Sequence, residues 1–217
     1  MTLDVDTIHR SKNTAERIAD SLRKAISQGK LQGGQSLRQD QIAALYSVSK
    51  IPVREAFFQL QAEGLIDMVP NKGATVSILT AAEIDEVYVM RIALETEALR
   101  RAIPNMTTDD LLQAEAVLNR IDHEGNVGKW AELNWEFHER LYIPSGMHRL
   151  LEMVKSLHAN VVRYLVSTQV VTTNGYLTTS QREHRQILEL CRQGEVDAAC
   201  RCLRQHLSGA DQALTNR

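Results

Sequence analysis

Four residues of this sequence are suited by type and spacing to hold a metal ion: Asn134, His138, His184 and His206. Asn134 and His138 are four apart, so on a helix they share one face. By helical phase that face also carries Trp130, Phe137 and Leu141, while Glu132, Glu136 and Glu139 take the other. His184 falls near Ile187, Leu188 and Cys191, and His206 lies at the edge of a stripe of Ala199, Leu203, Leu207 and Ala210. His184 stands 10 residues before Gly194 and His206 stands 12 after it. At about 1.5 Å per residue, both lie about 15–18 Å from a helical turn at that glycine, side by side across the pair. Three neutral imidazoles and one amide oxygen make a site for Zn²⁺, Ni²⁺ or Mn²⁺, with positions left open for water or a carboxylate. The competing reading, in which each is a hydrogen-bonded core histidine, stays open on the residues alone. His158 also points inward and reads as core or pocket lining, whereas His9, His123 and His148 read as surface residues.

Arg91 and Glu95 fall by phase inside the apolar stripe of Val87, Tyr88, Ala98, Leu99 and Ala102. A charge on an apolar face needs a partner. One account is an i, i+4 ion pair between the two. The other is that Arg91 forks onto the carboxylate of a bound effector. Asn160, Arg163 and Tyr164 are further pocket candidates whose phases do not separate pocket from surface.

A second chemistry lies earlier in the chain. Lys50 and Arg54 are four apart near the start of a helix, long cations suited to guanine edges or phosphates. Ser49 can give a phosphate its hydroxyl and a helix-end N–H. Arg38, at the start of the preceding helix, is a further phosphate candidate, and Lys72, at a hairpin tip, suits the minor groove or backbone.

The elements that must position these groups follow from caps and breakers. Helices are expected at about 14–27, 38–46 and 49–63, the third with Ser49 as N-cap and Pro52 in its first turn. Two β-like runs, 65–69 and 74–78, flank a turn at Pro70-Asn71-Lys72-Gly73. Helix, helix, tight turn, helix and hairpin make a winged helix-turn-helix, with the third helix in the major groove. After Ile78 the strand signals stop. A Thr80–Glu83 capping box opens a long helix to about Ile103. Further helices are expected at about 107–123, 129–142, 147–172, 177–192 and 196–214. The fold class is therefore mainly α: a loose tail over 1–11, a winged helix-turn-helix with a small β-hairpin over 12–79, and an all-α bundle over 80–217.

Composition sets the limits. Only 4 Pro, 11 Gly and 5% aromatics among 217 residues argue against an all-β chain. No run of about 18 apolar residues predicts a membrane span, and the polar N-terminus is not a secretory signal, so a cytoplasmic location is expected. Cys191, Cys200 and Cys202 read as reduced thiols. The total charge of −2 alone disfavours nucleic acid. Residues 1–80 nevertheless carry +2 and residues 81–217 carry −4, so the sum conceals a more basic first part.

The segments Leu37-Arg38-Gln39-Asp40-Gln41-Ile42-Ala43, Val48-Ser49-Lys50-Ile51-Pro52-Val53-Arg54-Glu55-Ala56, Leu60–Ile66 and Gly73-Ala74-Thr75-Val76 resemble the GntR family of bacterial transcriptional regulators. The second half, through Arg91–Glu95, Asn134–His138, Glu183-His184 and His206-Leu207, resembles the all-α (FCD) ligand-binding domain of its FadR-type branch. Two departures are visible: Lys50 stands where the family usually has Arg, and Ser47 where it has Gly. Lysine lacks the bidentate fork, which relaxes base reading at that position. The resemblance implies a homodimer on a palindromic double-stranded operator, with Lys50 and Arg54 as DNA contacts and the wing near Lys72 and Gly73 as a second element. It implies metal at the three histidines, Zn first, with Asn134 where metal-binding members commonly have Asp. It also favours the effector role for Arg91, with Glu95, Asn160 and Arg163 nearby. Metal and arginine together suit a small organic acid, and repression relieved by that effector is the expected sign. The rival functions are a metal-dependent enzyme on the α bundle, disfavoured because no inward carboxylate is evident as a general base, and a regulator that senses the metal itself.

Overall fold

Asn13 and Glu16 cap each other at the start of α1 (Thr14–Ser27): the Asn13 side-chain oxygen accepts from Glu16 N–H at 2.8 Å and Glu16 accepts from Asn13 N–H at 3.2 Å. Ile18, Ala19, Leu22 and Ile26 recur at helical spacing and are buried. In the same unit α2 (Gln39–Tyr46) buries Ile42, and α3 (Lys50–Ala62) buries Val53, Phe57 and Leu60. At the far end of α3, Glu63 accepts from Arg23 of α1 through both oxygens, at 2.6 and 2.7 Å. This computed structural model describes residues 13–70, 73–167 and 175–215.

The expected hairpin gains a strand. β1 (Ser36–Leu37) pairs antiparallel with β3 (Gly73–Val76), which pairs antiparallel with β2 (Ile66–Val69), in the order β1-β3-β2. Leu37 stands opposite Ala74, and Met68 opposite Ala74 on the other side. Two residues are too few for an alternating pattern, so β1 carries no sequence signal of its own. The close approach needs glycine at 73. Its φ is +101°, and a Cβ there would lie 2.3 Å from the Leu37 carbonyl oxygen.

The chain divides into two compact units, residues 1–26 with 31–77, and residues 27–30 with 78–217. The second is all helical among its described residues. Thr80 and Glu83 form the expected capping box at the head of α4 (Ala81–Ala102), and Thr107 with Asp110 does the same for α5 (Thr108–Ile121). α6 (Val127–Tyr142), α7 (His148–Ser167), α8 (Tyr176–Arg192) and α9 (Val196–Thr215) complete it. Pro104 and Pro144 turn the ends of α4 and α6 into single 3₁₀ turns. The expected continuation of α7 to about residue 172 lies outside the described residues. α4 is the axis of this unit, packed on α9, α7 and α6, while α8 pairs with α5 and α9. Its core runs through Leu99, Leu118, Phe137, Leu141, Ile187 and Leu203, all essentially buried. Among the described residues, no helix is long and apolar enough to cross a membrane.

Candidate functional site

In the first unit, Lys50 opens α3 and Arg54 follows one turn later, both exposed. Neither hangs free. Lys50 Nζ lies 2.5 Å from the Asp40 carboxylate on α2, and that contact, with the lysine charge, holds the Asp40 carboxyl below its usual range. The Arg54 guanidinium stands over the Phe58 ring, 5.4 Å from its centroid. Ser49 is the N-cap residue of α3 with extended backbone, and its side chain makes no capping hydrogen bond. Arg38 occupies the same position before α2. A cleft of about 910 Å³ runs between these helices and the wing, lined by Arg38, Asp40, Lys50, Arg54, Met68 and Gly73 among others. Lys72 lies outside the described residues. Gly73 is explained by the sheet, since only glycine lets β3 close on Leu37. Ser47, in the turn between α2 and α3, is held at φ 54°, ψ 46°, the left-handed region that glycine adopts without cost.

In the second unit, α6, α8 and α9 bring His138, His184 and His206 together in the interior, at 1%, 0% and 5% exposure. A ligand nitrogen from each lies within 4.8 Å of the others. Hydrogen bonds fix how each ring is turned. The Gln181 amide donates to the Leu118 carbonyl at 3.0 Å and to Asp122 at 2.8 Å, so its oxygen faces His184 Nδ1, 3.3 Å away. Glu183 accepts from His206 Nδ1 at 2.8 Å. Tyr142 donates to Glu95 at 2.7 Å, so at 3.1 Å its oxygen accepts from His138 Nδ1. All three rings thus carry their proton on Nδ1 and turn Nε2 inward.

That arrangement leaves lone pairs without partners. The Nε2 atoms of His184 and His206 are 3.2 Å apart, with Ser180 Oγ 3.4 Å from the first. His138 Nε2 and the Asn134 side-chain oxygen are buried with no hydrogen-bond partner. Two nitrogens bound tetrahedrally to one zinc ion at about 2.1 Å stand about 3.4 Å apart, so the donor set fits a divalent cation. Burial pushes His138 and His184 well below the usual imidazole range, reinforced for His138 by His184, His206, Arg91 and His158, and for His184 by His206. Both are therefore neutral, the form that binds metal.

Arg91 and Glu95 lie beside this cluster, both buried, and form the i, i+4 ion pair: Arg91 Nε donates to Glu95 at 2.7 Å. Burial alone would lower the Arg91 guanidinium, but Glu95 and the neighbouring Tyr88 more than offset it and raise it. The guanidinium also stands over the Tyr88 ring at 5.0 Å. Hydrogen bonds therefore run unbroken from Arg91 through Glu95 and Tyr142 to His138.

The remaining candidates separate. Asn160 donates back to the Ser156 carbonyl at 3.1 Å and keeps a buried, unpartnered side-chain oxygen. It is two residues from His158, hence about 200° around α7 from it. The side chain of Arg163 lies outside the described residues. Tyr164 donates to the Leu79 carbonyl at 2.7 Å, at the head of α4. The sequence reading missed Gln181, Glu183 and Tyr142 as orienting partners of the imidazoles. It also missed Trp135, whose ring packs on His158 at 4.8 Å between centroids. The spacing of Trp135 from His138, three residues on one helix, was the available signal.

Both units match known protein families. Residues 14–76 match the family model described as bacterial regulatory proteins, gntR family, and residues 86–209 match the FCD domain. The HTH-type transcriptional repressor RspR of Escherichia coli is 28% identical over 204 residues, covering 92% of this chain and 88% of its own. A solved transcriptional regulator of the GntR family from Pseudomonas syringae is 35% identical with a TM-score of 0.57, covering 93% of this chain and 84% of that one. The structure of E. coli McbR/YncC shares the fold at a TM-score of 0.84 and 21% identity, covering 95% and 99%.

Proposed function

The chain belongs to the GntR family of bacterial regulatory proteins, carries an FCD domain and is a DNA-binding transcriptional regulator rather than an enzyme, and from that premise we propose that as a homodimer it holds a palindromic operator until a small carboxylic acid enters a metal-assisted site in the helical unit. The proposal divides the work at the two units: residues up to about 79 read DNA, and residues from 80 on read the acid and form the dimer. The observation that carries the second half is the meeting of ring nitrogens from His138, His184 and His206, with an unpartnered Asn134 oxygen one turn before His138 on α6. Zinc is the first candidate, because it accepts three imidazole nitrogens and a coordination shell that can widen from four to five, with nickel or manganese as the competitors. When bound, the ion would supply a position for an acid oxygen.

The chain's own residues do the rest. Gln181, Glu183 and Tyr142 keep the three rings in the tautomer that offers Nε2. Glu95 neutralises Arg91 in the empty site, so the buried guanidinium is stable before an acid arrives. An arriving carboxylate competes for, or shares, that guanidinium. Its charge is felt along the Glu95–Tyr142–His138 chain and by α4, the helix that carries Arg91. Since α7 holds the carbonyl of Leu79 through Tyr164, movement of α4 against α7 changes the segment that leads toward the DNA-reading unit. Effector binding then shifts the population able to match the two half-sites.

On DNA, Lys50 and Arg54 reach base edges or phosphates, Arg38 and Ser49 take phosphates, and the wing near Lys72 adds a second contact. Asp40 and Phe58 hold the two long cations in place, which lowers the entropy lost on binding. The metal half is tested by zinc titration into chelator-stripped protein with equilibrium dialysis. One ion per chain is expected in the wild type and none in a His138→Ala/His184→Ala/His206→Ala variant. Unchanged metal content in that variant rejects the site.

A further inference from the structure

One pair of polar groups in the helical unit is used neither by the imidazole cluster nor by the Arg91–Glu95 pair. Trp135 Nε1 and His158 Nε2 are both buried without a hydrogen-bond partner. They belong together: the two rings pack at 4.8 Å with a 38° tilt, joining α6 to α7. His158 is itself 6% exposed. Trp135 is three residues before His138, so the two lie on a shared face of α6, about 4.5 Å apart along the axis. His158 is also near enough to His138 and Arg91 to act on both rings and guanidinium electrostatically. A buried donor and a buried imidazole nitrogen left unmet cost stability, and natural interiors retain such groups where something polar comes to meet them.

We propose that Trp135 and His158 form a second anchor for the effector, so that the acid recognised carries a further oxygen function, a keto group or a second carboxylate, a few carbons from its metal-held end. This rests on the effector reading given above. The direction of the hydrogen bond sets the chemistry. An indole N–H only donates, so the group that meets it is an acceptor oxygen and not an ammonium. His158 serves the same oxygen by donating from Nε2, a tautomer that no hydrogen bond among the described residues forbids. A simple fatty acid of the same length would place methyl or methylene against two unmet polar atoms and leave them unmet, which is the costly case in discriminating ligands.

The test uses zinc-loaded full-length protein and two matched pairs of acids, succinate against butyrate and 4-oxopentanoate against pentanoate, measured by isothermal titration calorimetry. The wild type is expected to bind the member with the second oxygen about tenfold more tightly or better. Trp135→Phe keeps the ring and removes the donor. His158→Gln is the second variant and guards against a packing defect in the first. Both are expected to erase the preference while leaving zinc content and the affinity for butyrate and pentanoate unchanged. Equal binding of the pairs by the wild type, or an undiminished preference in Trp135→Phe and His158→Gln, overturns the second anchor and leaves the effector site standing, with water as the partner of the two groups. No binding of any acid by zinc-loaded protein overturns both.

Discussion

The two units put charged and polar residues to opposite uses. In the first, Lys50, Arg54 and Arg38 stand in solvent, with partners such as Asp40 and Phe58 that hold them at the surface. In the second, Arg91, Glu95, His138, His184 and His206 are all buried, and their hydrogen bonds fix ring direction and charge inside the core. The lesson is about separability. Surface cations can change without disturbing the fold beneath them, so on the proposed reading contacts to DNA are free to vary. Buried polar groups are tied to the packing, so the proposed ligand chemistry of the helical unit could not change without changing its stability.

The largest break in that comparison is Glu95→Ala. It leaves the Arg91 guanidinium buried without its counter-ion and Tyr142 without its acceptor. A loss of about 3–5 kcal/mol is expected, read by denaturant unfolding, while Arg91→Met with Glu95→Leu should cost far less. If the single variant is as stable as the wild type, the pair is not the buried unit described.

Acid comes next. His138, His158 and His184 are all held well below the usual 6.5, with burial the first cause in each. Below about pH 6.5 the unfolded chain takes up protons that the folded chain refuses. Stability of metal-free protein therefore falls as pH drops through that value, by about 1.4 kcal/mol per pH unit for each such histidine. Residues 13–77 contain no histidine. Calorimetry between pH 7.5 and 5.5 should show the helical unit's transition moving down and the other holding nearly still. Equal movement of both would contradict the contrast.

The surface cations sharpen the other side. Lys50→Ala and Arg54→Ala should each weaken operator binding by about 1–3 kcal/mol and leave unfolding within about 0.5 kcal/mol of wild type. The smallest effect is expected at Ser47, whose left-handed backbone makes Ser47→Gly stabilising by about 0.5–1 kcal/mol without a change in affinity.

Helix ends, the wing and the meeting of His184 with His206 were legible in the sequence because each has a local cause. Thr80 and Glu83 cap, Pro104 stops, Ser145-Gly146 breaks, and Gly194 sets two histidines level by arithmetic. What was not legible depends on contacts between distant residues. β1 is two residues that become a strand only because Gly73 lets β3 approach. That Glu95 pairs with Arg91 and also accepts from Tyr142, 47 residues beyond it, depends on the packing of α6 against α4. Asn160 shares a helix with His158 and still points elsewhere. The rings of Trp135 and His158 belong to different helices, and no pattern within either reports that they pack together.

The most direct test of the account is operator affinity at fixed salt with and without a candidate acid, measured on zinc-loaded and on chelator-stripped full-length protein, wild type and His138→Ala/His184→Ala/His206→Ala. The account predicts that acid weakens operator binding by the zinc-loaded wild type alone, while the variant still binds the operator and ignores the acid. An equal response to acid in the variant or in stripped protein would contradict it.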